Sequence, residues 1–402
     1  MDPLLARRLR TAPALEIVVA DRLAPEELRA LGGLRGEPDL FGLLRLRGDA
    51  VRGAVAARAI DGDTALLLFT LRDPGPLPET ARRKLGREAP RAVARWIADG
   101  ILEVEVEGEF RTGPEALARL ASAPLASTPL SHRSSAPVAV FPRLTDAALA
   151  SAAALDTADV ERVAFHLYAF HRLPLDDAWH RRLPDAEAVL AALGLAPGGA
   201  LHGTHAARWI ESKRTERWLH WRSRRIAAPP SEAAVFKLYL SPMPAALLAD
   251  FNPFLEALGA SEAFEVKVGA GAAGLLRPDK LVAYFATFEQ AAAAAQAAAA
   301  SLKDLAAGSA HGVPLTAPID AAGLLSWGID PAAGDWGAPG GGDSWRLWLA
   351  RLLAGALLAA RVAGLDEEGA CVFARQRAEL EGIDGATWAP DGGLRRAMGV
   401  PA

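Results

Sequence analysis

The chain has 402 residues, of which 51% are hydrophobic and 23% charged, and its formal net charge is −4. This length favours about two or three domains. The acidic balance excludes a general attraction to nucleic acid or to an anionic membrane, so any anion must bind at a local patch of positive charge. A single cysteine excludes disulfides within the chain, and without a long uncharged apolar run the sequence indicates a cytoplasmic protein with no membrane span.

Residues 1–120 are predicted to form a small α/β module. Two helices followed by a β-hairpin are expected in its second half, and this order is typical of a winged helix. The expected strands are residues 15–20 and 65–71, the helices 78–85 and 90–99, and the hairpin 101–112. We therefore interpret the module as winged-helix-like.

The charges of this module leave its role open. Its helices carry arginines that would suit DNA phosphates. Arginines on helices are more often a solvated face, however, and the hairpin is acidic at Glu103, Glu105, Glu107 and Glu109. Winged helices also bind peptides by strand addition to an exposed edge, and an acidic hairpin fits peptide binding no worse than DNA binding.

Residues 121–145 are predicted to be a linker because they are rich in Ser, Thr, Ala and Pro, and residues 146–228 to be a helical segment. Six of the eight histidines fall in the helical segment, but their spacing matches no ligand pattern, so no metal is expected. Residues 208–225 interleave tryptophans with cations, which would suit stacking on bases. An amphipathic helix with its tryptophans in the core is the favoured interpretation, and its cations would line a neighbouring anion site.

Residues 229–402 are predicted to be an α+β domain with a small mixed or antiparallel sheet. Apolar and polar residues alternate at the period of a strand in two short segments, and Pro253 is expected to kink or split the helix between them. The expected strands are residues 236–240, 264–268 and 275–285, and the expected helices are 245–258 and the alanine-rich 288–305.

Each of these strands carries a cation among apolar residues, namely Lys237, Lys267, and Arg277 with Lys280. Burial lowers the pKa of a lysine and makes it a competent general base, and neighbouring cations can hold a phosphate. This combination suits β-elimination of phosphate from phosphoserine or phosphothreonine. The alternative is that both lysines lie on the wet face of an antiparallel sheet, where every second side chain reaches water.

The succession of these segments resembles the core of the phosphothreonine-lyase fold. A strand that ends at a proline is followed by a helix, a lysine-bearing strand, and an Arg-Pro ahead of an apolar strand with tyrosine. That fold is shared by type III effector lyases, by Hop-effector-like lyases of thioamitide and class V lanthipeptide pathways, and by the lyase portion of class III and IV lanthipeptide synthetases. The resemblance covers roughly residues 230–360.

The resemblance implies roles for individual residues. Lys267 would be the base that takes the α-proton, and Lys237 would contact the phosphate and the enolate. Tyr239 stands where effector lyases place a histidine acid, so His311 is a substitute candidate for that acid. The other implied site residues are Arg277, Lys280, Arg346 and Arg351 for phosphate, and Tyr284 and His311 for lining the substrate. No cofactor is implied.

We therefore interpret the chain as a phospho-Ser/Thr lyase that forms dehydroamino acids in a ribosomally made peptide. Its partners would be the phosphorylated precursor peptide and a separate kinase, because the sequence lacks the kinase motif set. Two alternatives stay open. One is a non-catalytic scaffold that uses its winged-helix module to bind a peptide or partner, and the other is a transcription regulator.

Overall fold

A computed structural model describes residues 2–24, 40–46, 58–122, 140–230, 233–305, 308–330 and 344–392. Helix makes up 46% and strand 20% of the structure. The strands form three sheets, and every strand pair in the described ranges is antiparallel. The α+β class predicted from the sequence is confirmed.

The described residues of the N-terminal part form two small sheets and four α-helices. The strands are β1 (Leu9–Thr11), β2 (Leu15–Val19), β3 (Leu40–Leu46), β4 (Arg58–Asp61), β5 (Leu102–Val106) and β6 (Glu109–Arg111), and the helices are α1 (Gly62–Thr70), α2 (Glu79–Leu85), α3 (Ala89–Ala98) and α4 (Gly113–Ser122). Strands β1, β5 and β6 form one sheet, and β2, β3 and β4 form the other. The predicted order of two helices and a hairpin is present in α2, α3, β5 and β6.

The strand predicted at residues 65–71 is wrong, because α1 occupies this position. The carboxylate of Asp61 accepts a hydrogen bond of 2.7 Å from the backbone N–H of Thr64 and so caps the helix. Within the apolar run, Leu67 and Leu68 are buried whereas Leu66 is 65% exposed. Buried and exposed side chains in this run therefore follow the period of a helix. The sequence does not show this period, because the residues of the run are nearly all hydrophobic.

The helical segment after the predicted linker begins earlier than expected. Residues 123–139 lie outside the described residues, so the linker prediction cannot be followed there, but residues 140–145 already belong to a helix. The helices of this segment are α5 (Val140–Ala153), α6 (Val160–Ala169), α7 (Asp177–Arg182), α8 (Ala186–Ala192) and α9 (His202–Arg208).

The helix predicted at residues 208–225 is wrong. The chain forms two strands there, β7 (Trp209–Arg214) and β8 (Trp218–Ser223), joined by a tight turn. Trp209 and Trp221 are buried in the core, as predicted, but they lie on one face of a sheet and not on one side of a helix. Strand β8 pairs with a strand beyond residue 228, so one sheet crosses the predicted domain boundary.

A seven-stranded sheet dominates the C-terminal part and is larger than predicted. Its further strands are β9 (Val235–Leu240), β10 (Glu265–Gly269), β11 (Leu281–Phe285), β12 (Ala317–Pro318) and β13 (Leu325–Asp330), and the helices are α10 (Pro244–Ala249), α11 (Asn252–Ala260), α12 (Ala272–Leu275), α13 (Phe288–Ser301), α14 (Trp345–Val362) and α15 (Glu367–Leu380). The strand order is β12-β13-β9-β11-β10-β8-β7. Pro253 lies in the first turn of α11 and divides the predicted helix into α10 and α11.

The two faces of this sheet differ in chemistry. Phe236, Leu238 and Val266 lie on one face and belong to the main hydrophobic core, which α11 and α13 help to close. Because side chains alternate along a strand, the residues between them point to the opposite face. This polar face carries the lysines, and α6 and α14 supply side chains to it. The described helices are all too short or too polar to cross a bilayer.

Candidate functional site

Register brings the two strand lysines onto the polar face around one tyrosine. Lys237 of β9 lies opposite Tyr284 of β11, and Tyr284 in turn lies opposite Glu265 of β10. Lys267 lies two residues beyond Glu265 and opposite Val282. Since β11 separates β9 from β10, the two lysines approach the Tyr284 ring from opposite sides, with their Nζ atoms 5.1 Å (Lys237) and 5.6 Å (Lys267) from its centroid.

Lys267 is held by aromatic rings and not by a counter-charge. Its Nζ atom lies 4.3 Å from the centroid of the Trp218 ring. Among the described residues it has neither an ion pair nor a hydrogen bond. Burial, and secondly the positive charge of Lys237, lower the pKa of Lys267 to about 8. A neutral amine is therefore accessible near physiological pH.

Lys237 is in contrast paired with a carboxylate. Its side chain is 4% exposed, and its Nζ atom forms an ion pair with Asp330 at the end of β13. The other carboxylate oxygen of Asp330 accepts a hydrogen bond of 2.8 Å from the backbone N–H of Trp345. Asp330 therefore fixes Lys237 to the beginning of α14.

Two arginines meet on one buried carboxylate, that of Asp279. The Nε atom of Arg277 lies 2.8 Å from Oδ1 of Asp279, and a terminal nitrogen of Arg346 lies 2.8 Å from Oδ2. Arg277 also donates a hydrogen bond of 2.9 Å to the hydroxyl of Tyr168. The two guanidinium groups hold the pKa of Asp279 well below its usual range against the effect of burial, and Asp279 in turn raises the pKa of Arg277.

A cavity of about 220 Å³ opens beside Arg277. Trp218 connects it to Lys267, because the centroid of the Trp218 ring lies 5.2 Å from the guanidinium carbon of Arg277 and 4.3 Å from Nζ of Lys267. The lining residues are Phe165, Tyr168, Ala169, Arg172, Glu216, Arg217, Ala273, Arg277, Pro278 and Asp279. The cavity thus has a wall of aromatic and cationic side chains that also holds Glu216 and Asp279, and Lys267 is linked to this wall through the Trp218 ring.

Tyr239 and Tyr284 complete the polar face as protonated hydroxyls. Burial, and secondly the negative charge of Asp330, raise the pKa of both tyrosines well above the usual value. Tyr239 packs with Val282 and Val313. No hydrogen bond of its hydroxyl is found in the part of the chain that the structure describes.

Lys280 and His311 form a separate buried pair. Nζ of Lys280, which is fully buried, lies 2.8 Å from Nδ1 of His311, and Nε2 of His311 lies 2.7 Å from the carbonyl oxygen of His171. Burial lowers the pKa of Lys280 to about 7 and that of His311 to about 3. Both ring nitrogens of His311 are therefore engaged in the pair and the loop contact.

The structure thus distributes the predicted site residues over three places. Lys237, Tyr239, Lys267 and Tyr284 share the polar face, and Arg277 and Arg346 join it through Asp279. Lys280 and His311 contact each other. Arg351 lies elsewhere on α14 and forms an ion pair of 3.0 Å with Glu161 of α6.

Sequence reasoning assigned no site role to four side chains that shape the site: Tyr168, Trp218, Asp279 and Asp330. Asp279 stands between Arg277 and Lys280, so its charge next to two predicted cations was a usable signal. Trp218 was noticed but placed on a helix. Asp330 and Tyr168 reach the site through long-range contacts, for which the sequence carries no local pattern.

Comparison with solved structures finds weak similarity to bacterial effectors. An effector protein from Pseudomonas syringae pv. tomato strain DC3000 aligns with a TM-score of 0.40 and 13% identity, over 62% of this chain and 98% of the effector. An effector protein from Pseudomonas syringae pv. syringae strain 61 aligns over the same shares with a TM-score of 0.35 and 13% identity. No family model and no curated protein matches the sequence. The lyase resemblance stays a prediction.

Proposed function

We propose that the protein removes phosphate from phosphoserine or phosphothreonine of a peptide by β-elimination. One observation carries this proposal. Lys267 lies on a cationic face, in contact with the Trp218 ring that also contacts Arg277 of the cavity wall. It has no ion-pair or hydrogen-bond partner among the described residues, whereas Lys237, Arg277 and Arg346 are each paired with a carboxylate. An unpaired, partly buried amine is suited to take a proton, and paired cations are suited to stay charged.

The charge on this face supports binding of a phosphate. Four cationic side chains, Lys237, Lys267, Arg277 and Arg346, face the two carboxylates of Asp279 and Asp330. Glu265, which lies opposite Tyr284 on the same face, is a third carboxylate. The cavity lining adds Arg172, Arg217 and Glu216. Over the face and the cavity together, two positive charges are therefore in excess when Lys267 is protonated, and one when it is neutral. In a site partly closed to water, such an excess attracts a phosphate dianion strongly.

The reaction would use the chain's own residues and needs no oxidant or reductant. The neutral amine of Lys267 takes the proton from Cα of the substrate residue. The electron pair of that C–H bond forms the Cα–Cβ double bond, the Cβ–O bond breaks, and phosphate leaves with its electrons. Lys237 and Arg277 would stabilise the negative charge that develops on the enolate and the phosphate. The protonated hydroxyl of Tyr239 is the acid candidate for the leaving oxygen.

The biological setting is proposed with the chemistry. The substrate would be a ribosomally made precursor peptide that a separate kinase has phosphorylated. The N-terminal module would bind part of this peptide as a winged-helix-like reader. The first assignment rests on the predicted lyase activity, and the second on the order of two helices and a hairpin in the N-terminal module.

Mass spectrometry of a phosphoserine peptide incubated with the protein tests this function. We expect a product that has lost phosphoric acid and adds a thiol across the new double bond. Lys267→Met should abolish the product, and Arg351→Met, which changes a cation outside the site, should retain it. A product that contains serine would instead identify a phosphatase. Binding of the peptide without any conversion would favour the scaffold.

A further inference from the structure

The basic hairpin of β7 and β8 forms an open edge of the large sheet. Strand β7 is the last strand and pairs only with β8 among the described strands. Residues 210–214 are all exposed, and Ile210 is 47% exposed. The outward N–H and C=O groups of such a strand can pair with another extended chain.

Positive charge is concentrated on this hairpin although the chain as a whole is acidic. Residues 208–225 contain seven cations and two carboxylates, in a protein of net charge −4. The cations are Arg208, Lys213, Arg214, Arg217, Arg222, Arg224 and Arg225, and the carboxylates are Glu211 and Glu216. Arg214 is paired with Glu187 and Glu211. The other six cations have no carboxylate partner within the described part of the chain, although Arg208 and Arg224 donate to backbone carbonyl oxygens. A ligand that complements them must carry negative charge.

The open edge leads directly to the candidate site. The turn after β7 is closed by a hydrogen bond of 2.9 Å from the N–H of Thr215 to the carbonyl oxygen of Trp218, and Arg217 in this turn lines the cavity. Across the sheet, Lys213 of β7 lies opposite His220 of β8, and His220 lies opposite Lys267 of β10. One strand therefore separates the edge from the unpaired lysine.

The aromatic residues of the hairpin favour a peptide over a nucleic acid. Base stacking needs accessible rings. Trp209 and Trp221 are each only 2% exposed, and the Trp218 ring already lies against the cations of Lys267 and Arg277. The accessible features of β7 are its backbone and its charges, which are the features that strand addition uses.

We propose that β7 binds an extended acidic segment of the peptide substrate as an eighth strand, with the cations of the hairpin facing its carboxylates. The identity of the ligand as the enzyme's substrate rests on the proposed function. The docking edge itself does not. The segment would hold the neighbouring residue of the same peptide at the cavity, so that acidic sequence near the phosphorylated residue determines which peptides are processed.

Fluorescence anisotropy with the whole chain tests the edge separately from catalysis. The probe is a labelled peptide of about ten residues with alternating Glu and Val and no phosphate, a length that fits one strand. We expect Lys213→Glu with Arg222→Glu to weaken its binding at least about tenfold, since two charge contacts are reversed. The matched control, Arg162→Glu with Lys303→Glu, changes two exposed cations outside the hairpin and the cavity by the same charge and should change binding less than about twofold.

Backbone methylation of the probe then separates strand pairing from charge attraction. N-methylation of alternate amides should weaken binding about tenfold in one set of positions and little in the other, because only every second N–H of an added strand points to the sheet. Equal loss in the two double variants, no effect of methylation in either set, or displacement of the probe by an oligothymidylate would each overturn the proposal. Loss of elimination with intact probe binding would refute the lyase alone.

Discussion

Lys267 owes its proposed reactivity to neighbours that are aromatic or positively charged, and this makes its pH dependence testable. A general base acts in its neutral form, so the rate of elimination should rise with pH up to about 8 and then level off. Lys237→Met removes a like charge and frees Asp330, and both changes raise the pKa of Lys267. We expect the rising limb of kcat/KM to move to higher pH in this variant. An unmoved limb would exclude Lys267 as the titrating base.

Lys280 offers a test of buried charge outside the polar face. Its pKa is about 7 in the folded protein, against 10.5 as the ordinary value, so the folded state binds this proton less tightly than the unfolded state does. The resulting destabilisation is complete below pH 7 and disappears as the pH rises towards 10.5. Lys280→Met should therefore raise the free energy of unfolding by about 1–3 kcal/mol at pH 6, after allowance for the lost hydrogen bond to His311.

Urea unfolding at pH 6 and at pH 9 measures this difference. The increase in the free energy of unfolding caused by Lys280→Met should be clearly smaller at pH 9, because most of the lysine is then neutral in the folded wild-type protein. A gain that is equal at both pH values would show that packing and not charge is responsible. A decrease in the free energy of unfolding at pH 6 would show that the hydrogen bond to His311 stabilises the protein more than the buried charge destabilises it.

Which residues lie on the polar face could be predicted from the sequence only in part. Alternation along the strands was sufficient to put Lys237 and Lys267 on one face, because the period of a strand is a local property. Whether each lysine has a counter-charge was not predictable. That depends on Asp330 and Trp218, which reach the lysines from strands distant in the sequence.

At the scale of elements, Gly328 of β13 shows how closely α14 packs on the sheet. Gly328 lies opposite Lys237, and a Cβ atom added there would lie 2.7 Å from Cδ1 of the buried Trp345. Gly328→Ala should therefore force the indole to shift and lower the free energy of unfolding by about 1–3 kcal/mol. Gly259→Ala in α11 is the control, since nothing lies within 4 Å of its added Cβ, and it should be neutral or stabilising by up to about 1 kcal/mol. Chemical denaturation of both variants checks this. If the Gly328→Ala variant were as stable as the Gly259→Ala variant, the close packing of Trp345 on Gly328 would not limit stability.

The hairpin of β7 and β8 is the element that sequence reasoning got wrong, for a physical reason. Its tryptophans at positions 209, 218 and 221 and its cations fit a helical face as well as a strand face over so few residues. The pairing of β8 with β10 decides between them, and that contact is not local. By contrast, β9 and β10 were predicted from alternation that ends near Pro or Gly. Strand β11 was predicted from an apolar run, but the predicted range 275–285 began too early, because residue 275 ends α12 and residues 276–280, with Arg277 and Lys280, form a turn before the strand.

At the scale of the whole molecule, a buried ion pair joins the N-terminal part to the C-terminal helix α15. Arg377 donates two hydrogen bonds, of 2.7 and 3.1 Å, to the carboxylate of Asp99, and both side chains are almost fully buried. Arg377→Met removes the guanidinium that faces the buried carboxylate of Asp99 and the carboxylate of Glu381 and should cost about 3–5 kcal/mol. Arg375→Met breaks the more exposed pair with Asp146 and should cost less than about 1 kcal/mol.

Thermal or urea unfolding of the two variants distinguishes these expectations. A similar small decrease in the free energy of unfolding in both variants would show that the buried ion pair contributes little to the contact between the N-terminal part and α15. A large loss confined to Arg377→Met would show that the N-terminal part is anchored to α15 and therefore presents its surfaces in a fixed position relative to the large sheet.

The charged edge of β7 also bears on the solubility of the protein. An open strand invites pairing with the same strand of another copy, and proteins counter this with cations on the edge. Two copies of this hairpin brought together would oppose Lys213 and its neighbouring arginines to the same charges. The edge of β7 thus repels the same edge of another copy and attracts an acidic chain. The charges that select a ligand therefore also protect the protein from self-association.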